Sequence, residues 1–278
     1  MQEKTVIEEL ANEYPLFYLD PDKDSKETYI EVVLRGDEPE EMKLDHYTGD
    51  SYDRLETVDT PVGAVKVATF ENRHDFELVM RGLMAAKKGP LEPIPKSQGA
   101  AMVTAINWKK IHAYLGEFPV EQRDVEFKKF TSVKDNYIDR LVVLSRGPYS
   151  NVSAEKMGIS EEKWLEDSDT IRRYHELTHV ICRRSCPDDI DEVRDELVAD
   201  AIGLYAAYGE FDPETEKKFL GIEGSAYVGG RLENYTDKPE EFIEEISEKL
   251  LVMQKQVEDI KPEDPFDLIP ILMGISQI

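Results

Sequence analysis

One stretch, Tyr174 to Val180, constrains this chain more than any other, because it places two histidines four positions apart within a predicted helix. An α-helix advances by about 100° per residue, so His175 and His179 share a face and lie roughly 6 Å apart. Two imidazoles in that arrangement can bind one metal ion. Glu176 projects about 100° around the axis from His175, where its carboxylate can approach a water beside the ion. Glu176 is therefore the predicted general base.

A second, acidic helix follows, and it offers the third protein ligand that a catalytic zinc ion usually requires. Glu196 and Asp200 share one face of this helix, and Gly203 permits close approach of another helix. We assign Glu196 as the third ligand and Asp200 as the acceptor of a histidine ring N–H. Two alternatives remain open. Glu196 and Asp200 could belong to a solvated acidic face, or Cys182 could replace Glu196 as ligand.

These two segments resemble the gluzincin metallopeptidases, in which an H-E-x-x-H helix is followed by a helix that carries E-x-x-x-D. The H-E-L-T-H sequence is similar to that of thermolysin-like enzymes, and E-L-V-A-D resembles the membrane-bound prenyl-protein peptidases. The resemblance covers residues 170–205. It implies that Glu176 is the catalytic base and that Asp200 is the partner of the first histidine. The zinc ligands that it implies are His175, His179 and Glu196.

The donor that stabilises the transition state has to come from elsewhere, because no histidine follows residue 179 and the downstream histidine of thermolysin-like enzymes has no counterpart. Hydrolysis at zinc develops negative charge on the former carbonyl oxygen. The segment 225–235 offers Tyr227, Arg231 and Tyr235 as donors, and we predict that Arg231 and Tyr235 are catalytic. The alternative is a structural turn in which the arginine pairs with a surface acid.

Composition limits the partners of the chain. A net charge of −25 and a pI near 4.6 argue against a nucleic-acid groove or an anionic membrane surface as partner. The first ten residues lack the basic and apolar regions of a signal peptide, and no run approaches the roughly 20 apolar residues that span a bilayer. We therefore expect a cytoplasmic protein that binds neither nucleic acid nor membrane.

The remaining patterns predict α+β architecture. Strands are predicted over 27–35, 63–70 and 138–145. Helices are predicted over 72–88, 100–115, 169–185 and 189–208, with a further helix from Pro239 and a short apolar helix at the end. Ser168, Asp169 and Thr170 are the predicted N-caps of the motif helix. The strand at 138–145 is either the edge strand that pairs with an extended substrate or an ordinary sheet strand.

The sequence thus predicts a zincin-like α+β fold. A mixed α/β lobe with a substrate-side sheet covers residues 1–165, and a helical lobe with both motif helices covers 166–278, with the metal site between them. The predicted function is a zinc metallopeptidase that hydrolyses peptides or proteins. One alternative is a non-catalytic zincin-like binding or regulatory protein, and another is an acidic interaction protein without a metal.

We expect the purified protein to bind about one zinc ion per chain, and His175→Ala or His179→Ala to remove most of it, because two remaining ligands leave an incomplete shell. Elemental analysis after dialysis measures this. Equal zinc content in the wild type and both variants would refute the assignment.

Overall fold

A computed structural model describes residues 5–37, 44–85, 93–96, 98–185 and 191–275, which form an α+β protein as predicted. The chain divides into two compact units. The first comprises Met1–Glu56, Lys66–Gln98 and Val103–Ser145, and the second comprises Thr57–Val65, Gly99–Met102 and Arg146–Ile278. The lobe boundary predicted at residue 165 falls within a helix of the second unit. Two lobes that meet at a metal cleft stay a prediction.

A four-stranded sheet has the order β1-β2-β4-β3. Its strands are β1 (Arg54–Thr60), β2 (Gly63–Phe70), β3 (Ala100–Ile106) and β4 (Ile138–Ser145). The predicted strands at 63–70 and 138–145 are thus confirmed. β2 runs parallel to β4, with Ala68 opposite Val143. Because β4 lies between β2 and β3, it is not an edge strand, and the prediction that it pairs with an extended substrate is wrong.

Five α-helices lie before residue 146 in the described part of the chain. They are α1 (Val6–Glu13), α2 (Lys26–Tyr29), α3 (Arg73–Ala85), α4 (Trp108–Gly116) and α5 (Arg123–Thr131). A π-helix, Ile30–Arg35, continues α2 directly. The helix predicted at 72–88 is confirmed by α3 as far as residue 85, and residues 86–88 lie outside the described part of the chain.

The strand predicted over residues 27–35 is wrong, because this segment is helical. Ser25 caps the start by accepting a hydrogen bond from the backbone N–H of Thr28 at 3.2 Å. Gly36 stops the helix in the left-handed conformation, with φ of 76°, which glycine adopts without steric cost. The caps at both ends outweigh the β-propensity of the branched residues between them.

The single helix predicted over residues 100–115 is also wrong, because the segment contains a strand followed by a helix. Asn107 separates the two elements. Its side chain accepts a hydrogen bond from the backbone N–H of Lys110 at 3.1 Å, which starts α4 at Trp108. The residues before this cap form β3, so the helical spacing seen in the sequence begins too early.

The second unit is mostly helical. Its helices are α6 (Ala154–Met157), α7 (Glu161–Ser185), α8 (Glu192–Tyr208), α9 (Pro213–Leu220), α10 (Pro239–Ile260) and α11 (Ile269–Met273). The two short strands β5 (Ile222–Glu223) and β6 (Ala226–Tyr227) pair antiparallel. The predicted helix from Pro239 and the short terminal helix are confirmed. None of the helices in the described ranges is long and apolar enough to cross a membrane.

Helix α7, which carries the two histidines, begins at Glu161 rather than near residue 169. Its cap is Ser160, whose hydroxyl accepts a hydrogen bond from the backbone N–H of Lys163 at 3.3 Å. Ser168, a predicted cap, is buried inside the helix, where its hydroxyl accepts from the backbone N–H of Tyr149 at 2.9 Å. The predicted N-caps at residues 168–170 are therefore wrong.

Helices α7 and α8 pack against each other, and α8 is buried around most of its circumference. Gly203 makes this possible, as predicted. A Cβ atom at Gly203 would lie 2.7 Å from the carbonyl oxygen of Ile171, so any larger residue would push the helices apart. The side chain of Asp191 caps the acidic start of α8. The helix was predicted to start at residue 189, which lies outside the described ranges.

We expect Gly203→Ala to lower the free energy of unfolding by about 1–3 kcal/mol, the usual cost of overpacking a tight contact. Urea unfolding followed by circular dichroism measures this. The matched control is Gly116→Ala at the end of α4, where a Cβ atom meets nothing within 4 Å. There the substitution should leave stability unchanged or raise it by up to about 1 kcal/mol. Equal stability of the two variants would contradict the role of Gly203.

Candidate metal centre

The three predicted ligands lie together in the second unit. The ligand atoms of His175, His179 and Glu196 are all within 4.8 Å of one another. The Nε2 atoms of the two histidines are 3.0 Å apart. The carboxylate oxygens of Glu196 lie 3.5 Å from Nε2 of His175 and 3.6 Å from Nε2 of His179. The four-residue spacing on α7 and the packing of α8 against it produce this convergence.

A buried carboxylate holds the other ring nitrogen of each histidine. Nδ1 of His175 lies 2.7 Å from Oδ1 of Asp200, and Nδ1 of His179 lies 2.7 Å from Oδ2 of Asp195. An ionised carboxylate only accepts hydrogen bonds, so both Nδ1 atoms carry a hydrogen and Nε2 is the ring nitrogen left to bind a metal ion. The predicted bond from the first histidine to Asp200 is present. Because Asp200 is 1% exposed, it does not belong to a solvated acidic face.

The convergence of electron-rich atoms has an electrostatic cost unless a cation lies among them. Burial and the neighbouring His179 lower the pKa of His175 to about 3. Burial opposes protonation of His179 too, but the hydrogen bond to Asp195 outweighs it and raises the pKa of this ring. Burial acts to raise the pKa of Glu196, but the neighbouring His175, His179 and Arg231 outweigh it and lower this pKa. Two imidazole nitrogens and one carboxylate oxygen are a donor set that fits Zn²⁺.

Tyr149 and Arg231 complete a network around Asp200. The hydroxyl of Tyr149 donates to Asp200, and its oxygen lies 2.9 Å from Nδ1 of His175. Arg231 donates from one terminal nitrogen to the Tyr149 oxygen at 3.1 Å and from the other to Asp200. Arg231 was predicted as a donor to the substrate, but the structure places its terminal nitrogens on these two protein groups.

A fully buried acid lies beside this network. Glu216 of α9 is 0% exposed, and Oε1 is 3.9 Å from a terminal nitrogen of Arg231. Neither carboxyl oxygen has a hydrogen-bond partner within the described ranges, and the same is true of the buried Nε of Arg231. Burial, and to a smaller extent the charge of Glu196, raise the pKa of Glu216 well above its usual range. Both effects favour the neutral form of the Glu216 side chain.

The two tyrosines of the 225–235 segment have different surroundings. The hydroxyl of Tyr235 donates to Oε2 of Glu196 at 3.0 Å, which places this phenol next to a predicted ligand. Burial raises the pKa of Tyr235, so it remains a donor. The hydroxyl oxygen of Tyr227 instead lies 2.8 Å from the carbonyl oxygen of Gly230 and 2.9 Å from Oε2 of Glu233, and its single hydrogen can be donated to either. Of these two phenols, Tyr235 is the one that contacts the candidate metal centre.

Glu176 is half-buried, and its negative charge acts on both histidines by favouring their protonated forms. Its carboxylate has no hydrogen bond or ion pair with another residue of the described chain. Cys182 is buried and forms a hydrogen bond with Asp195. Burial of Asp195 acts to raise the pKa of this acid, but the bonds from His179 and, to a smaller extent, Cys182 lower it. The group of side chains that could hold a metal ion contains Glu196 and does not contain Cys182.

Sequence reasoning missed three residues of this site. Asp195 directly precedes Glu196, and the acidic pair at the start of α8 was the only signal for it. Tyr149 lies in a turn-rich segment with no local feature that indicates a buried hydroxyl. Glu216 lies in a short helix rich in charge, where a solvated side chain is the natural expectation. Their roles depend on contacts distant in sequence.

Fold and site together define an α+β protein with a candidate centre of two histidines and one glutamate, each supported by buried polar groups. The chain belongs to the Family of unknown function (DUF7005), whose sequence profile matches residues 4–261. No curated protein and no solved structure matches the chain.

We expect Asp195→Ala to weaken zinc binding by about 10–100-fold, as loss of a carboxylate partner of a metal-bound histidine typically does. Competition with a chromophoric chelator measures the dissociation constant. Glu192→Ala is the matched control, because this acid lies on the same helix and is exposed. Asp195 would have no part in the site if both variants bound zinc with the affinity of the wild type.

Proposed function

We propose that this chain is a zinc-dependent metallopeptidase of the gluzincin type, with a zincin-like fold. One observation carries the proposal: both Nε2 atoms and the Glu196 carboxylate converge while each Nδ1 is held by its own buried acid. A histidine whose only task is to pack in a core has no need of this arrangement. The adjacent Glu176, which has no partner in the described chain, adds a base at the position that metal-assisted hydrolysis requires.

Two histidines and one glutamate are a ligand set typical of catalytic zinc, because three protein ligands leave a coordination position for water. When bound, zinc lowers the pKa of a water and polarises the carbonyl group that the water attacks. The protein side chains supply orientation and proton transfer. Asp195 and Asp200 keep the two rings aimed at one point by holding each Nδ1–H.

Glu176 is the residue that moves the proton in the proposed reaction. Its carboxylate takes a proton from the water as the water oxygen forms a bond to the scissile carbonyl carbon. The same proton is then delivered to the amide nitrogen as the carbon–nitrogen bond breaks, so that the products are a carboxylic acid and an amine. Glu176 forms no hydrogen bond within the described ranges, so its carboxylate oxygens are available to a water, although its charge also acts on the buried Arg172.

Tyr235 is the better-supported of the two donors predicted for the developing oxyanion. Its hydroxyl lies next to Glu196, and a rotation of this O–H away from the carboxylate would redirect it to a substrate oxygen. Arg231 is less suited, because Asp200 and Tyr149 occupy its terminal nitrogens. We therefore keep Tyr235 as a proposed catalytic residue and give Arg231 a different role below.

The proposed substrates are peptides or proteins. The strongly negative charge of the chain favours basic substrates and disfavours nucleic acid. A cytoplasmic location and the lack of a membrane or nucleic-acid partner stay predictions from the sequence.

A second candidate function is a non-catalytic zincin-like protein, in which the metal stabilises a binding or regulatory domain. One observation favours it: both predicted transition-state donors, Arg231 and Tyr235, are hydrogen-bonded to protein groups. The unpaired Glu176 argues against it, because a structural metal site has no evident use for a free carboxylate.

We expect Glu176→Gln to retain zinc and its fold while peptide cleavage falls by about 10²–10⁴-fold, because the amide keeps the shape of the side chain but cannot accept the proton. Cleavage is measured with a library of peptides whose products are identified by mass spectrometry. Zinc content is measured by elemental analysis.

The control is Glu166→Gln, an exposed acid earlier on α7, which should cleave as well as the wild type. If the wild type and Glu176→Gln both bind zinc and neither cleaves any peptide of the library, the non-catalytic function takes the place of the peptidase.

A further inference from the structure

Asp200 is the most completely bonded acid at the centre. This carboxylate, buried in α8, accepts hydrogen bonds from Nδ1 of His175, from the hydroxyl of Tyr149 and from Arg231. A buried carboxylate remains ionised when charge-assisted hydrogen bonds of this kind replace its hydration. Its position then determines the direction in which the ring of His175 points, because Nδ1 and Nε2 lie on opposite sides of the imidazole.

We propose that Arg231 is a positioning residue, which acts together with Tyr149 to fix Asp200 and through it the ring of His175. This inference rests on the metal site of the proposed function. It assigns the Arg231 guanidinium to the support of a ligand rather than to the stabilisation of charge on a substrate. The terminal nitrogens of Arg231 donate to Tyr149 and Asp200 rather than to a ligand atom, so its effect on the orientation of the ligands passes through Asp200.

The backbone places Arg231 for this role. α9 ends at Gly221, which has φ of 80°, and the N–H of Val228 donates to the Gly221 carbonyl oxygen at 2.8 Å. A Cβ atom at Gly230 would lie 2.4 Å from the backbone nitrogen of Gly221, so the two chain segments touch directly. Arg231 follows at once, and its guanidinium lies 5.1 Å from the centre of the Tyr149 ring. The backbone contact therefore fixes where the Arg231 side chain begins, and the Tyr149 ring fixes where its guanidinium lies.

Asp200 is the acid that compensates the charge of Arg231. Glu216 lies nearby, but its closest oxygen is 3.9 Å from the guanidinium and forms no hydrogen bond with it, and burial raises the pKa of this carboxyl group. An arginine fork that donates to a carboxylate and to a phenol at the same time holds both groups in one plane. Replacing it with a neutral side chain leaves the buried Asp200 carboxylate without its cation, so that only Tyr149 and His175 still hold it in place.

The direction of the effect on zinc affinity separates this role from a purely electrostatic one. A positive charge near a metal site repels the ion, so by Coulomb's law alone the removal of Arg231 would tighten zinc binding. If Arg231 acts by fixing Asp200, its removal weakens zinc binding. The two mechanisms predict opposite signs for the same substitution.

The test is a double-mutant cycle on the full chain, with zinc as the probe and chelator competition as the measurement. We expect Arg231→Gln to weaken zinc binding by about 10–100-fold, in the range of other residues that support a metal ligand. We expect Asp200→Asn to weaken it as well. The double variant should bind no more than about twofold more weakly than Asp200→Asn alone, because Arg231 then has no carboxylate to fix.

Arg194→Gln is the matched control. Arg194 lies on the same helix as Asp200, but its side chain donates to the carbonyl oxygen of Leu272. This variant should bind zinc as the wild type does. The visible absorption bands of the cobalt(II)-loaded protein provide a second measurement, since a reoriented His175 changes the ligand field. Arg231→Gln should shift these bands, and Arg194→Gln should not.

Zinc affinity of Arg231→Gln equal to or tighter than that of the wild type would overturn the proposal. The proposal would also be overturned if the zinc affinity of the double variant were lower than that of Asp200→Asn by the same factor by which Arg231→Gln alone lowers the affinity of the wild type. If Arg231→Gln fails to fold in the metal-free state, Tyr149→Phe carries the test, because it removes only the hydroxyl. Unchanged affinity there overturns the proposal, and a several-fold loss supports it. Lack of zinc uptake by the wild type would refute the proposed function instead.

Discussion

The hydrogen bond between a buried carboxylate and a histidine Nδ1 is the interaction on which the centre depends. It occurs twice, from His175 to Asp200 and from His179 to Asp195. Each bond meets two needs, because a buried acid requires a donor and a ligand ring requires a fixed tautomer. If either imidazole ring were flipped, the acid bonded to it would lose a partner. The ring nitrogen that faces Glu196 would then point away from it. Both Nδ1 atoms are thus bonded to their acids only when the three ligand atoms converge.

The same bonds explain how α8 can be buried although it carries acids along its length. A helix surrounded by protein normally has apolar residues on all sides. In α8 the acids Asp195 and Asp200 are buried because the histidines of α7 and Arg231 provide their donors. Gly203 brings the two helices close enough for these bonds to form. The packing of this unit and the construction of its candidate metal centre are therefore one and the same feature.

The sequence predicted the parts of the molecule that depend on local spacing. The ligand set follows from a four-residue repeat on one helix and an acid on the next, and β2 and β4 follow from runs of branched apolar residues. The prediction of secondary structure from the sequence failed where short-range signals conflicted. At residues 27–35, a serine cap and a glycine stop override the β-propensity of the residues between them. Sequence reasoning also missed Tyr149 and Glu216, because nothing in a turn or in a short charged helix indicates which side chain a distant segment will bury.

The separation of these residues along the chain has a consequence for how the centre forms. The two bonds between α7 and α8 span 16 and 25 residues, whereas the bond from Arg231 to Tyr149 spans 82. Short loops close at lower entropic cost than long ones, so the helix pair with all three ligands can assemble first. The long-range support joins only when the segment around Gly230 reaches α9. A chain that is still folding would therefore present its ligands early but hold an ion firmly only at the end, which delays capture of a metal until the surrounding fold is complete.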